Sequence, residues 1–262
     1  MTDPTLGTAP GTPDSPAVGA ESRWSRVVGP PQGRWGLGAA ALALGPMFLL
    51  VVVSVWLTAS TGSTDTDLSP LGQLGAWIVV ISIVLPWVWL AGVPLAASYL
   101  RGPGWTRSYG LVVAKRALWW GLGGGGATFV VITVAVWVSQ QFSDTEISSA
   151  AGDLALQISQ YPVAFTVFLL LVAFGAPFVE ELAFRGLLWG AIVKHGWSPW
   201  VATVVAGVLF GVFHGEPSRL VALSLGGIVL GVVRQYGGLG AAMIAHSFVN
   251  VIGAVQLYLT VH

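Results

Sequence analysis

Residues 161–194 read YPVAFTVFLLLVAFGAPFVEELAFRGLLWGAIVK, and Glu180, Glu181, Arg185 and the terminal Lys194 are their only carboxylates and cations. A helix needs ~20 predominantly apolar residues to cross the hydrocarbon core, so a run this long and this apolar reads as membrane-spanning. Pro177 interrupts it, which allows either one long kinked helix or two elements, 161–177 and 178–194. One continuous, kinked span is the expectation. Intramembrane charges are costly and by default face the interior of a bundle. Residues four apart share a helical face, whereas neighbours point ~100° apart. Glu181 and Arg185 are therefore expected to pair, leaving Glu180 directed elsewhere without a local cation.

Working outward, further apolar segments lie at 35–58, 73–100 and 115–139 before this run, and at 198–214, 217–233 and 240–258 after it. The predicted fold class is all-α, a polytopic membrane helical bundle of about seven transmembrane helices, or eight if the chain breaks at Pro177. Composition agrees: 55% of the 262 residues are hydrophobic and 8% charged, with a mean hydropathy of +0.78, far from soluble norms. The lipid bilayer is the first partner this implies. Formal charge is zero, so no basic surface points to nucleic acid. The absence of cysteine excludes disulfides, thiolate metal sites and a cysteine nucleophile.

Residues 1–33 are rich in Pro, Gly, Thr and Ser and carry no hydrophobic period, so they are expected to form a disordered tail. They lack the apolar core of a cleaved signal peptide. Residues 34–140 then form the N-terminal transmembrane helices, and 160–258 a separate transmembrane core.

Charge orients the bundle. Arg23, Arg26 and Arg34 precede the first span, Arg101, Arg107, Lys115 and Arg116 lie between the second and third, and Lys194 and Arg234 follow on the same side under seven crossings. Asp65, Asp67, Asp144, Glu146 and Asp153 fall on the other side, with Arg219 the single cation there. The positive-inside bias then puts the N-terminus in the cytoplasm, and the plasma membrane is the expected location. Trp35, Trp56, Trp77, Trp105, Trp197 and Trp200 stand near span ends, as an interfacial belt requires. The run from Gly121 to Gly126 matches G-x-G-x-x-G, yet no strand precedes it, and close helix packing is the better reading. Gly207, Gly211 and Gly215, and Gly227 and Gly231, recur at four-residue spacing, which suits close packing of the last spans.

Two more polar sets interrupt apolar helices. Phe210 and His214 share one face, and so do His246 and Asn250. Unsatisfied polar groups in lipid cost several kcal/mol each (~2–7), so partners for these side chains are expected among one another and the carboxylates. A lone membrane histidine is more often a packing hydrogen bond than a catalyst, and a lone acid–arginine pair is often structural. The combination, confined to the last third of the chain, carries the functional reading. His195 and His262 are expected to be solvated, and Glu216 and Arg219 to face water beside a short loop.

With these residues in place the chain resembles the CAAX-protease and bacteriocin-processing (CPBP or Abi) family of intramembrane endopeptidases over about residues 160–258. Glu180, Glu181 and Arg185 meet its Glu-Glu-x-x-x-Arg motif, Phe210 and His214 its Phe-x-x-x-His motif, and His246 and Asn250 its His-x-x-x-Asn/Asp motif. Each motif is weak alone, and three in order on apolar helices are a strong match. The resemblance implies a CAAX prenyl protease-like endopeptidase acting on a membrane-associated peptide or protein substrate. In this reading Glu180 activates water, His214 orients it, and His246 and Asn250 stabilise the oxyanion. The resemblance further implies supporting positions at Glu181 and Arg185, with Arg185 a candidate contact for a substrate carboxylate.

No cofactor is required by this reading. A zinc site built from Glu180, His214 and His246 is the competing one; there is no H-E-x-x-H. A proton-coupled transporter and a non-catalytic scaffold or immunity protein remain as other classes, although a transporter would usually show an inverted repeat. Geometry raises one difficulty. Glu180 and His214 fall at matching depths, ~21–24 Å from the turn between their helices, whereas His246 lies only ~9 Å into its own. The Gln235–Gly240 turn is therefore expected to be drawn into the bilayer, or the helices to tilt steeply.

Overall fold

The computed structural model describes residues 27–61, 71–111, 114–144 and 146–262. Arg23, Arg26, Asp65 and Asp67, and most of the expected tail, lie outside the described residues.

Every regular element among the described residues is helical. In chain order they are α1 (Leu37–Thr61), α2 (Gly72–Leu100), the single turn α3 (Trp105–Ser108), α4 (Lys115–Gln140), the short α5 (Ala150–Gln157), α6 (Pro162–Lys194), α7 (Pro199–Phe213), a 3₁₀ turn at Pro217–Arg219, α8 (Leu220–Gly237) and α9 (Leu239–Val261). Six of these are long and apolar enough to cross a membrane, and α7 is a shorter apolar helix of 15 residues. The chain is an integral membrane protein. Its outward faces suit lipid: Leu49, Trp119, Val130 and Leu259 are among many large apolar side chains left exposed.

The central helix is α6, and it does not break at Pro177. The chain widens into a π-helical turn over Leu171–Gly175, resumes α geometry over Ala176–Glu181, and widens again over Leu182–Leu188. Widened turns admit a proline because the ring no longer meets the carbonyl four residues back in α register. The Ala176 N–H donates to the Leu171 carbonyl, a five-residue step. In that register the next carbonyl, Val172, would look to residue 177, a proline without an N–H.

Small residues let the bundle close. A Cβ on Gly207 would stand 2.6 Å from the Ile228 nitrogen, and one on Gly227 2.7 Å from the Gly207 carbonyl, so α7 and α8 touch backbone to backbone. Gly121, Gly124 and Gly125 bring α4 against Ile244, Val233 and Phe248 of α8 and α9. Gly207, Gly211, Gly227 and Gly231 are packing positions, as their spacing suggests, whereas Gly123 and Gly126 meet no neighbour and Gly215 is a turn residue at φ +65°.

The segment before α1 departs from the sequence reading. Residues 27–35, assigned to the tail up to residue 33, form a strap across the end of the core. The Lys194 ammonium donates to the Gly33 and Trp35 carbonyls at 2.6 and 2.5 Å and sits 3.8 Å from the Trp35 ring centroid. Trp35, expected in an interfacial belt, is buried beneath it, 4.9 Å from the Tyr109 ring. Trp56, Trp197 and Trp200 are exposed.

Arg234 departs from expectation as well. Read as an orienting charge in a loop, it is fully buried near the end of α8. Its guanidinium donates to the carbonyls of Val28 (2.8 Å), Gly29 (3.0 Å), Tyr109 (3.0 Å) and Arg185 (3.3 Å). The connection to α9 is one residue long, Gly238 at φ 89°, and is buried with its neighbours Gly237 and Leu239. This turn therefore stands level with Arg185, not with Lys194 about 13 Å further along α6 by helical rise. Its irregular backbone is enclosed by protein, as such backbone must be at depth: Val28 N–H donates to the Gln235 carbonyl and Leu239 N–H to that of Gly110. Beside it the Tyr109 hydroxyl, its pKa raised by burial, donates to the Pro94 carbonyl at 2.6 Å.

Candidate functional site

The inset turn carries His246 deep enough to meet α6. His246 Nδ1 lies 3.0 Å from Glu181 Oε1, and its Nε2 is 3.9 Å from Glu180 Oε2. Because a carboxylate only accepts, Nδ1 carries the proton of that hydrogen bond. Glu181 Oε1 also accepts from Arg185 Nη1 at 2.8 Å, and both side chains are completely buried. Arg185 Nη2 donates to the Gly227 carbonyl at 2.8 Å, and the guanidinium carbon lies 4.4 Å from the Phe210 ring centroid.

The adjacent carboxylates thus have different surroundings. Glu181 is enclosed between a guanidinium and an imidazole. Among the described residues no arginine or lysine pairs with Glu180, whose side chain is 13% exposed. It lines a cavity of about 510 Å³ together with Phe210, His214, His246 and Asn250. Arg185 does not line it. Its guanidinium is fully enclosed and bound to Glu181 and the Gly227 carbonyl.

His214 caps the end of α7. Its Nδ1 lies 2.8 Å from the Phe210 carbonyl, so the neutral ring carries its proton there and leaves Nε2 as an acceptor. Phe210 separates the two imidazoles, with ring centroids 4.6 Å from His214 and 5.5 Å from His246. Asn250, one helical turn beyond His246, donates from Nδ2 to the Val172 carbonyl at 2.8 Å. That is the acceptor Pro177 leaves without a backbone donor. Asn250 is thereby fixed against the widened turn of α6, and the second hydrogen on Nδ2 stays free for another acceptor.

The zinc alternative does not fit this donor set. Among the described residues no three His, Asp or Glu side chains converge closely enough to hold one ion. Glu216 and Arg219, expected to face water, also line the cavity. They pair at 2.8 Å with side chains only 14% and 20% exposed. His195 and His262 are exposed, as expected.

The residues quoted from the sequence therefore gather in one place, and those it missed are structural. Arg234 and the Gly227 carbonyl hold the site's walls without lining the cavity, whereas Val172 lines it. One signal for Arg234 was available: with so few residues between the last two spans, an arginine there has little room to reach a headgroup region.

No curated protein and no solved structure matches the chain. A family model does match, over residues 162–252, from the start of α6 to two residues past Asn250. That likeness points to a protease in the membrane acting on a protein substrate. The helices carrying all of the site residues above are the part of the chain that is similar to the Rce1-like type II CAAX prenyl endopeptidase family.

Proposed function

We propose that the protein is an intramembrane endopeptidase in which Glu180 is the general base for an attacking water. The observation that carries this is the asymmetry of the acidic pair: Glu181 is bound by Arg185 and His246, while Glu180 faces the cavity with no arginine or lysine paired to it.

Each of the other groups has a role suited to its hydrogen bonds. His214, with Nδ1 tied to the Phe210 carbonyl, offers Nε2 to the water's second hydrogen. His246 donates Nδ1–H to Glu181, so only its imidazolium form can also donate from Nε2. Together with the free Asn250 N–H it supplies two donors for the oxyanion, each worth ~3–4 kcal/mol. Water oxygen then bonds to the scissile carbonyl carbon as its proton passes to Glu180. Collapse of the oxyanion breaks the C–N bond, and Glu180 returns the proton to the departing amine. Glu181 acts through His246 and is a positioning residue.

The test compares membrane proteomes from cells carrying the native chain and Glu180→Gln, read as new peptide termini. Cleavage should fall by ~10²–10⁴-fold with the variant still folded in detergent. A chelator should leave native cleavage unchanged. Inhibition by chelator that zinc reverses would instead favour a metalloprotease, and undiminished termini with Glu180→Gln would favour a scaffold or immunity role. Solute flux in liposomes would favour a transporter.

A further inference from the structure

We infer that Arg219 is a substrate-binding residue that recognises a carboxylate of the substrate polypeptide, C-terminal or on an acidic side chain, and that Glu216 holds its place until the substrate exchanges for it. This deepens the protease reading and rests on it.

The cavity wall is mostly apolar, with Met47, Leu50, Trp87, Phe168 and Leu223 in it. Among the described residues that line it, Arg219 is the one arginine or lysine. Arg185 is completely buried against Glu181 and does not line it. Arg219 donates from Nη1 to Glu216 Oε2 at 2.8 Å, with side chains 20% and 14% exposed. A guanidinium carries five N–H donors in a planar fork that matches the two oxygens of a carboxylate. Among the described residues Nη2 and Nε of Arg219 meet no acceptor. The resting pair therefore engages one point of the fork, whereas arginine–carboxylate recognition is frequently two-point.

Stability does not account for this pair. Partly exposed ion pairs contribute little, and placing two charges against an apolar wall costs desolvation. The backbone beneath the pair is nevertheless held in place. Gly215 turns at φ +65° against Val51 and Val55 of α1, Pro217 opens the 3₁₀ turn, and Arg219 N–H donates to the Glu216 carbonyl at 3.0 Å. Exchange of one carboxylate for another then requires side-chain rotation alone, so little ordering remains to be done on binding.

Charge also sets a direction. Glu180 lines the same cavity with no arginine or lysine paired to it. A substrate carboxylate is repelled there and attracted at Arg219. The substrate chain is thereby held with its carboxylate at the α7–α8 loop and its scissile bond towards Glu180 and His214, which lies five positions before Arg219.

The test reads binding without turnover, in detergent, on the full chain carrying Glu180→Gln. Three dansylated tetrapeptides of leucine and valine serve as probes: the free acid, its C-terminal amide, and an amide whose last residue is glutamate. At least one carboxylate probe should bind about tenfold or more tighter than the plain amide, and which of them does so names the source of the carboxylate. Adding Arg219→Gln should erase the preference, and Arg219→Lys should keep part of it. Glu216→Gln should strengthen it, because the resting competitor is gone. A merely structural pair would instead make Glu216→Gln weaken all probes alike and lower the unfolding midpoint. Equal affinity for all three probes, no saturable binding, or a preference that survives Arg219→Gln would overturn the inference. If Arg219→Gln does not fold, the direction of the Glu216→Gln effect decides. These affinities do not depend on catalysis, so their failure is distinguishable from loss of the protease reading, which appears as undiminished termini with Glu180→Gln.

Discussion

Glu180 and Glu181 are neighbours in the chain, yet neutralising each should do different damage. Glu181 balances a fully buried guanidinium and orients His246. Removing one partner of a buried ion pair leaves an uncompensated charge and typically costs ~3–5 kcal/mol. Glu181→Gln should therefore lower the thermal unfolding midpoint measured in detergent. Glu180→Gln should leave that midpoint nearly unchanged while abolishing cleavage, because Glu180 pairs with no buried arginine or lysine. The sequence already separated these roles: a four-residue spacing pairs Glu181 with Arg185, and the adjacent position cannot share that face. It did not reveal that His246 hydrogen-bonds to Glu181 while its other nitrogen lies 3.9 Å from Glu180. Nor did it reveal that Arg185 is fully enclosed. Both follow from where α8 and α9 pack.

At the scale of elements, Pro177 and Asn250 form one device. The proline denies the Val172 carbonyl a backbone donor, and the asparagine supplies it across the α6–α9 interface. Asn250→Ala should reduce kcat by ~10²–10³-fold if its remaining N–H serves the oxyanion, and should also destabilise by ~1–3 kcal/mol through the orphaned carbonyl. Pro177→Ala offers a competing N–H from within α6. It should lower kcat by a smaller factor while leaving the unfolding midpoint unchanged or raised, since alanine favours helix far more than proline does. Measuring both quantities in each variant separates the catalytic from the structural share. A kink at Pro177 was legible from the sequence. The π-helical turn and its cross-helix partner were not, because helix widening leaves no periodic mark in so uniformly apolar a run.

Across the whole molecule, Arg234 and Lys194 tie the N-terminal strap and the α2–α4 loop to the family-matched helices. Arg234→Met keeps the bulk and removes the donors, leaving several buried carbonyls unpaired at ~1–3 kcal/mol each. The expected result is a lower unfolding midpoint and protease cutting within residues 27–35 under native conditions. Cleavage by the remaining folded protein should be nearly normal, because Arg234 does not line the cavity. Loss of activity without new cutting would count against a purely structural role.

The sequence by itself determined the solvent and the chemistry. Long apolar runs can hydrogen-bond their backbones in lipid only as helices, and ionisable groups persist there only with partners, so an all-helical membrane bundle and its polar residues were readable from composition and spacing. Depth and enclosure of the site were decided by tertiary structure alone. They depend on a one-residue turn inset beneath a strap and on which carbonyls the buried arginines find. Such contacts join residues up to two hundred positions apart, and no local pattern encodes them.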